Sequence, residues 1–378
     1  MSHKPSLFLS FGIEQLCMEL QDIPHARLAN QHISSVISSG PVEVVRSLGA
    51  LQAQMYKDAL WAVGLRCKDT TQSKVEDAIA RRKLIRTWSM RGTWHLVPPS
   101  EVRWMLSLYP DEPIPNYQRK NGLTDQILER GLEIIRSAFK DNEQLTYKEI
   151  GSILAKSGIK ELKMMEVQRH ITRRAGRKGM ICFSGYVGNQ PAFRLLEAMI
   201  PKTSQYGRER SLAKFARVYF DSHGPATFSD FAWWSGLRMS EAREGVAMIK
   251  SGLKEIVLSG KSYWAPKKGR LPNRNESSEY LLPSFDEYVI SYSDRSAVVR
   301  PEDAKKIING STLRFLPTVI SDGNVVGTWK RLSHSNKTVV RITPFRKLTK
   351  EQKLGVRETA NRYGSFLESE VVVEYTSH

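Results

Sequence analysis

The sequence predicts an α+β protein with three tandem winged helix-turn-helix units followed by a small β-rich C-terminal domain. A chain of 378 residues is too long for one ordinary core. The order of helices, a basic helix and two β-rich segments recurs three times, and β-prone runs dominate from about Leu281 onward. The expected segments are 1–120, 121–205, 206–275 and 276–378.

The middle unit shows the pattern most clearly. Apolar residues at helical spacing predict a helix within residues 145–159, where Thr146 and Glu149 fit a capping box. A second, basic helix follows over residues 164–179 and is closed by Gly176 and Gly179. β-prone residues on both sides of a Gly-Asn-rich centre then predict a hairpin. Two helices and a hairpin in this order are the layout of a winged helix-turn-helix.

The other two units repeat this order less regularly. In the third, an amphipathic helix over residues 211–224 precedes a short helix that Thr227 can cap, and residues 254–266 supply two strands. In the first, residues 75–99 read as a basic helix that runs into a β-rich segment. An earlier apolar helix pattern lies within residues 33–50, so the first unit also fits the pattern.

The C-terminal segment changes character. Two β-prone runs are joined by Asp322-Gly323, which is a good turn for a short hairpin. Two further strands flank a helix that contains residues 358–367. Residues 267–280 are basic and rich in breakers, which is typical of a linker or exposed loop. We therefore expect a small β-rich domain with one or two helices.

The charge balance favours a polyanionic partner. Lys and Arg number 57 against 39 Asp and Glu, which gives a net charge of +18 and a pI of about 9.8. Basic side chains that neutralise phosphates release condensed counterions, so such a surplus favours nucleic acid. A soluble protein that is merely basic is the alternative interpretation.

Several classes of function lack support in the sequence. Cys17, Cys67 and Cys182 are far apart and form no Cys-x-x-Cys pair, which argues against a zinc site or a disulfide framework and fits a reducing compartment. The eight histidines are scattered without metal-binding spacing, so no cofactor is expected. No apolar stretch of about 18 residues and no signal peptide is recognisable, which predicts a cytoplasmic protein.

Basic side chains cluster in all three units. The middle unit carries Arg169, Arg173, Arg174, Arg177 and Lys178 on its second helix. The first unit carries Arg81, Arg82, Lys83, Arg86 and Arg91, and the third carries Lys261, Lys267, Lys268, Arg270 and Arg274. The second helix of a winged helix usually faces DNA, and crowded like charges are stabilised by an anion. A solvated helix face is the alternative.

The tryptophans near these clusters are Trp88, Trp94, Trp233 and Trp234. Nucleic acid bases stack well on such rings. Aromatic residues also dominate small cores, and burial is the better explanation for most of the four. None of them is assigned to a site.

Gln52 and Gln54 lie between two apolar helix patterns, with Gly49 just before them. Residues two apart point in opposite directions on a helix but to the same side of an extended segment. Two converging amides therefore require a non-helical stretch here. Without further context, a pair of surface glutamines is the simpler interpretation.

Further blocks supply that context, namely GTWHLVPP (92–99), GPATFSDFAWWSGL (224–237), LLPSFDEYVISYSDR (281–295) and DGNVVGTWKR (322–331). With these blocks, in this order, nearly the whole chain resembles the AlkZ/YcaQ-type winged-helix DNA glycosylases. The resemblance implies a concave basic DNA-binding surface and a catalytic Gln-apolar-Gln or Gln-apolar-Asp motif, onto which Gln52, Ala53 and Gln54 fall. Glutamine at the second position is similar to the branch that unhooks interstrand crosslinks, while the small Ala53 leaves the choice of lesion open.

Two further expectations accompany the resemblance. The family often has a histidine in the TWHLV strand, and His95 is expected either to bind a phosphate or to hold the site as a structural histidine. The hairpin at Asp322-Gly323 is expected to approach the DNA, as a hairpin does in relatives.

The chemistry suits amides rather than carboxylates. An N7- or N3-alkylated purine already carries positive charge, so it departs without a general acid. A glutamine carbonyl can accept a hydrogen bond from the attacking water and direct its dipole at the developing charge. With no recognisable catalytic lysine motif, a monofunctional glycosylase acting as a monomer on double-stranded DNA is expected. The alternative is a non-catalytic DNA-binding protein or transcription regulator, which would usually dimerise.

Overall fold

The computed structural model describes residues 18–109, 112–201, 206–267, 279–310, 312, 314–333 and 337–376. Within them, the order helix, short strand or bridge, helix, helix, strand, strand recurs three times, and a five-stranded sheet with a long helix follows. The fold is therefore a mixed α+β arrangement in which helices and small antiparallel sheets alternate.

The first segment holds α1 (Asp22–Asn30), α2 (Pro41–Leu48), β1 (Leu51–Gln52), α3 (Tyr56–Arg66), α4 (Gln72–Ala80), β2 (Ile85–Trp88), β3 (Trp94–Val97) and α5 (Pro99–Ser107). Its antiparallel sheet has the order β1-β3-β2. Gly49 ends α2 with a φ of +80°, and a Cβ at Gly49 would lie 2.3 Å from Val218 Cγ1. Both features favour glycine at the point where the chain turns into β1.

The second segment holds α6 (Asn116–Lys120), α7 (Asp125–Asp141), β4 (Leu145–Thr146), α8 (Tyr147–Ala155), α9 (Met165–Arg177), β5 (Ile181–Val187), β6 (Gln190–Leu195) and α10 (Leu196–Met199). The predicted hairpin is confirmed, since β5 and β6 pair antiparallel. The capping box is confirmed as well. The Thr146 side chain accepts from the Glu149 N–H, and the Glu149 carboxylate accepts from the Thr146 N–H.

The third segment holds α11 (Arg208–His223), α12 (Phe228–Ser235), α13 (Met239–Ile249), β7 (Leu253–Leu258) and β8 (Lys261–Pro266). An isolated bridge between Ala226 and Trp264 takes the place that a short strand has in the other two segments. Thr227 caps α12 as the sequence predicts, because its hydroxyl accepts from the Asp230 N–H.

The C-terminal segment holds β9 (Tyr280–Leu282), α14 (Glu287–Ile290), β10 (Ile308–Asn309), β11 (Arg314–Phe315), β12 (Thr318–Ser321), β13 (Asn324–Ser333), β14 (Thr338–Pro344), α15 (Lys350–Leu367) and β15 (Val371–Tyr375). Its main sheet has the order β15-β14-β13-β12-β9. The hairpin at Asp322-Gly323 is confirmed. Its turn lies against α1, where Asp322 contacts His25, and against α14, where the Gly323 carbonyl accepts from the Tyr288 hydroxyl.

The buried side chains form clusters that cross the segment borders. Residues of α2–α4 share one cluster with the main C-terminal sheet and α15, and the Trp61 indole donates to the Leu281 carbonyl. Arg66 and Asp286 form a bidentate ion pair at 2.8 Å, almost fully shielded from solvent. Residues of α11–α13 share a second cluster with β2, β3 and α5. The first and last segments are therefore packed as one body.

The described residues lack membrane-spanning helices and metal-binding clusters, and two of their thiols are free. None of the described helices combines the length and the apolar character that a membrane crossing requires. No group of three or more His, Cys, Asp or Glu side chains among them is arranged to hold a metal ion. Cys67 and Cys182 are buried free thiols, while Cys17, Lys268, Arg270 and Arg274 lie outside the described residues.

Candidate active site

The two glutamines lie on the non-helical segment between α2 and α3, as the sequence predicts, with Gln52 in β1 and Gln54 at the bend before α3. The Ala53 N–H donates to the Trp94 carbonyl at 2.7 Å, and Gln52 stands opposite His95 in the β1–β3 pairing. The backbone N–H of Gln52 donates to Glu287 Oε1 at 2.6 Å. This segment is thereby fixed from both sides by residues that are distant in sequence.

The two amide side chains face the turn between β2 and β3, but they differ in exposure. Gln52 is 7 % exposed, and its Oε1 accepts a hydrogen bond from Arg91 Nη2 at 2.8 Å. Gln54 is exposed, and its Oε1 lies 3.4 Å from the Trp94 backbone N–H, which is a long and weak contact. The Gln54 amide is therefore accessible, while the Gln52 amide is held in one orientation.

Arg91 is turned inward instead of toward solvent. Its backbone has a φ of +53°, and its guanidinium also donates to the carbonyls of Trp233 and Trp234 at the end of α12. Burial lowers the pKa of Arg91, although a guanidinium remains charged at neutral pH. Since Arg91 can only donate, Gln52 presents its carbonyl to Arg91, and its Nε2 has no partner among the described residues. The Nε2 atom of Gln52 is not fully occluded from solvent.

The buried Glu287 connects the glutamine segment to α12. Its carboxylate accepts from the Gln52 N–H, from the Trp234 indole at 3.0 Å and from the Ser291 hydroxyl at 2.5 Å. Burial by itself raises the pKa of Glu287, but the nearby His223 and the Ser291 hydroxyl outweigh burial and lower it to about 2. Sequence reasoning used the block around Glu287 only as a family resemblance and missed this role.

His95 is corrected by the structure. Its side chain is fully buried, its Nδ1 lies 3.0 Å from the Thr93 carbonyl, and burial lowers its pKa to about 3. A neutral, enclosed imidazole does not reach a phosphate on the surface. His95 therefore belongs to the core that supports β1, which is the structural alternative considered above.

The basic helix α9 divides its charges between the interior and the surface. Arg174 is buried and donates to the Glu112 carbonyl, so the prediction that it contacts DNA at the surface is wrong. Arg177 pairs with the Glu112 carboxylate and is 11 % exposed, and Lys178 pairs with Glu129 at 3.2 Å. These pairs offset charge that was expected to face an anion.

Arg169 and Arg173 are the members of the cluster that line an open cleft, and Arg169 is exposed. In the first segment, Arg81 and Arg82 are exposed, with Arg81 paired to Asp77. Lys267 is exposed at the end of β8, and Lys268 lies outside the described residues. The expected DNA contacts that remain on the surface are thus spread over three segments.

Arg86 and most tryptophans are packed inside. Arg86 donates to the Ala53 carbonyl and lies 4.4 Å from the centre of the Trp94 ring, so it supports the segment that carries the glutamines. Trp88 and Trp234 are buried, while Trp233 is 47 % exposed. Burial is thus confirmed for two of the four tryptophans considered above, Trp88 and Trp234, while Trp94 is half-buried.

A groove of about 920 Å³ begins directly after Gln54. It lies between the first turn of α3, the tip of the β5–β6 hairpin and strand β13. Its charged lining residues are Lys57, Arg314, Lys330 and Arg331 together with Asp58 and Glu76. The lining of this groove thus starts at Met55, the residue after the exposed glutamine, and has more basic than acidic side chains.

Comparisons with known proteins agree on one family. The family model described as DNA glycosylase AlkZ-like matches residues 45–366. The interstrand DNA cross-link repair glycosylase of Streptomyces sahachiroi is 24 % identical over 346 residues, which cover 84 % of this chain and 88 % of that relative. The solved structure of the Streptomyces sahachiroi DNA glycosylase AlkZ has a TM-score of 0.79 at 22 % identity and covers 96 % of this chain and 100 % of its own. At that identity, the structural likeness shows the fold.

Proposed function

Because the chain belongs to the family of AlkZ-like DNA glycosylases, we propose that it hydrolyses the N-glycosidic bond of N7- or N3-alkylated purines in duplex DNA. The observation that carries the proposal is the pair of amides, Gln52 and Gln54, presented on one extended segment beside a wide basic groove. No carboxylate is needed, because the leaving base is already cationic.

The different settings of the two amides give them different roles. Arg91 occupies the carbonyl of Gln52, so Gln52 offers its Nε2 as a donor. Gln54 is exposed, and its carbonyl is available as an acceptor. A water molecule that donates to Gln54 and accepts from Gln52 would be oriented with a lone pair free for attack on C1′. A neutral amide is a poor base, so undamaged purines are left intact.

The repeated element order and the charge support the proposed DNA surface. We interpret each repeat as a winged-helix unit, in which α4, α9 and α13 occupy the position of the recognition helix. The proposed phosphate contacts on α9 are Arg169 and Arg173. In the other two units they are Arg81 and Arg82, which follow α4, and Lys267, which follows β8. Arg177 and Lys178 would join them only if DNA displaces Glu112 and Glu129.

Interstrand crosslinks are the second proposed substrate. The relative from Streptomyces sahachiroi carries that activity in its name. A base tied to the opposite strand cannot be extruded freely, and an open groove suits it better than a deep pocket. The two amides lack the amine that Schiff-base lyase chemistry requires, so we propose a monofunctional hydrolase. We also propose that the protein acts as a monomer.

Release of 7-methylguanine from methylated duplex DNA tests the proposal. Single-turnover rates would be compared for the wild type, Gln52→Ala, Gln54→Ala and the control Gln126→Ala, an exposed glutamine on α7. Loss of an oriented polar group at a developing charge costs about 100-fold in rate, and we expect this order for both site variants. Equal rates in all four proteins would remove the assigned roles.

A second arm uses one duplex with a defined N7 interstrand crosslink and one with a single adduct. Unhooking of the crosslinked duplex supports the crosslink substrate, and activity on the single adduct alone limits the protein to monoadducts. Tight DNA binding by the wild type without base release from either duplex would favour the non-catalytic DNA-binding alternative.

A further inference from the structure

A second cleft, separate from the groove beside Gln54, lies between α6, α9 and the β2–β3 region and encloses about 420 Å³. Four of its nine lining residues carry a tryptophan or tyrosine ring. The rings that line it belong to Trp88, Trp94, Tyr117 and Tyr147. Tyr117 is 55 % exposed, although a ring of this size is usually packed against the protein. An open cleft with several rings is a surface on which a flat ligand can stack.

Two side chains that line the same cleft each carry an occluded polar atom without a partner among the described residues. The Gln118 side chain is 2 % exposed, and its Nε2 donates to the Glu166 carbonyl, but its Oε1 has no hydrogen bond among the described residues. The His170 side chain is 5 % exposed, and its Nε2 is likewise unpaired within the described part of the chain. Buried polar groups are nearly always hydrogen-bonded, so two exceptions in one cleft point to a ligand that completes them.

The two unpaired atoms, Gln118 Oε1 and His170 Nε2, also indicate which hydrogen-bonding groups that ligand carries. Arg173 Nη2 lies 3.5 Å from His170 Nδ1, and because a guanidinium only donates, this contact favours a proton on Nε2. A ligand that reaches these two atoms would meet a donor at His170 and an acceptor at Gln118. A nucleobase edge, with its adjacent donors and acceptors, complements such a pair.

The charges of the cleft select a neutral or anionic ligand. Arg169 and Arg173 line it, with Glu166 as the acidic residue among its lining side chains. A cationic alkylated purine would be repelled by the two guanidinium groups, while a phosphate would pair with them. The ligand therefore differs from the damaged base of the proposed reaction.

We propose that this cleft binds one undamaged nucleotide, with its base stacked on the aromatic walls, its polar edge on Gln118 and His170, and its phosphate on Arg169 and Arg173. The inference rests on the proposed function insofar as DNA lies on this face. Trp94 connects the two sites, since its indole lines the cleft and its backbone N–H contacts Gln54. A nucleotide displaced from the duplex beside the lesion would thus be held next to the amide pair.

Undamaged DNA tests the inference without base release, so its failure leaves the glycosylase proposal untouched. Fluorescence anisotropy would measure the Kd of a fully paired duplex and of the same duplex with one unpaired nucleotide. We expect the wild type to prefer the second by about tenfold, the order of one stacked base. Tyr117→Ala and Gln118→Met should abolish this preference while binding the paired duplex normally. Tyr375→Ala, on the last strand of the C-terminal sheet, is the control.

Two further experiments test whether the cleft binds a free nucleotide as well as one within a DNA strand, and whether the unpaired nucleotide lies in the cleft. Titration with free dAMP asks whether the cleft takes a nucleotide outside a strand, and dAMP binding that Tyr117→Ala abolishes also supports the site. Photocrosslinking of an unpaired 5-iododeoxyuridine should label the peptides that carry Trp94, Tyr117 or Tyr147. Equal affinity of the wild type for the two duplexes together with no dAMP binding, or labelling elsewhere, would overturn the inference.

Discussion

Removal of the Arg91 guanidinium should slow base release without weakening DNA binding. In the structure, Arg91 donates to Gln52 Oε1 at 2.8 Å and to two carbonyls at the end of α12, so its charge is used inside the protein. Hydrogen bonds from a charged donor contribute about 1.5–3 kcal/mol. If that energy orients the Gln52 amide in the transition state, Arg91→Ala reduces the single-turnover rate by roughly 10- to 150-fold.

The assay is single-turnover release of 7-methylguanine, with the Kd for methylated duplex measured in parallel. A double-mutant cycle identifies the route of the effect, because Arg91 should matter only when Gln52 is present. We expect Arg91→Ala combined with Gln52→Ala to be no slower than Gln52→Ala alone. Arg341→Ala, which removes an exposed ion pair with Glu374, is the matched control.

Two results would refute this reasoning. If Arg91→Ala weakens DNA binding and leaves the rate at saturation unchanged, Arg91 is a DNA contact, as the basic cluster first suggested. If the effects of the Arg91 and Gln52 substitutions multiply, the guanidinium acts on something other than the Gln52 amide. Thermal unfolding of each variant shows whether the fold is retained.

Three further predictions concern the structure that supports the site. Asp286→Ala leaves Arg66 as a buried unpaired charge and should lower the free energy of unfolding by about 3–5 kcal/mol in urea titrations. The exposed Glu374→Ala should cost below about 1 kcal/mol, and a similar cost for both would contradict the burial argument. Gly176→Ala places a Cβ 2.1 Å from Trp88 Cε3 and should destabilise by about 1–3 kcal/mol, with an altered tryptophan emission; an unchanged spectrum and stability would argue against this contact. The pKa of His95 is lowered from 6.5 to about 3 by burial, so the folded state binds fewer protons than the unfolded state between these values, and stability falls as the pH drops from 6.5 toward 3. Unfolding at pH 6.5 and pH 5 should differ by about 2 kcal/mol from this residue, and His95→Gln should remove that part of the difference.

Local signals in the sequence were sufficient for the helix caps, the hairpins and the extended glutamine segment. The Thr146–Glu149 capping box and the cap at Thr227 are made by neighbours within three residues, so no distant partner is involved. The extended conformation of residues 51–52 follows from Gly49, whose positive φ ends α2. These features depend on backbone chemistry that a short window contains.

The fate of the charged residues depended on partners far along the chain. Arg91 belonged to a basic run that suggested a DNA contact, yet it is held by α12 and by Gln52. Arg66 pairs with Asp286, which is 220 positions away. Gly176 and Gly179 were expected to close α9. Gly179 follows the helix with a φ of +68°, but Gly176 lies in its last turn, where the missing side chain makes room for Trp88. A single sequence shows the type of each residue but not the neighbour that tertiary packing supplies.

The placement of Glu287 explains how one site can combine amide chemistry with a rigid frame. A carboxylate at the surface beside C1′ would stabilise the sugar cation, but it would also act as a base. Glu287 is instead 1 % exposed, and its lone pairs are directed to Gln52, Trp234 and Ser291. Its charge therefore positions the backbone of the glutamine segment and does not reach substrate. In the proposed reaction, the neutral amides guide a water molecule only toward a bond that alkylation has already weakened. Selectivity for damaged bases would then follow because the Glu287 carboxylate is enclosed behind β1 and cannot act as a base on the substrate.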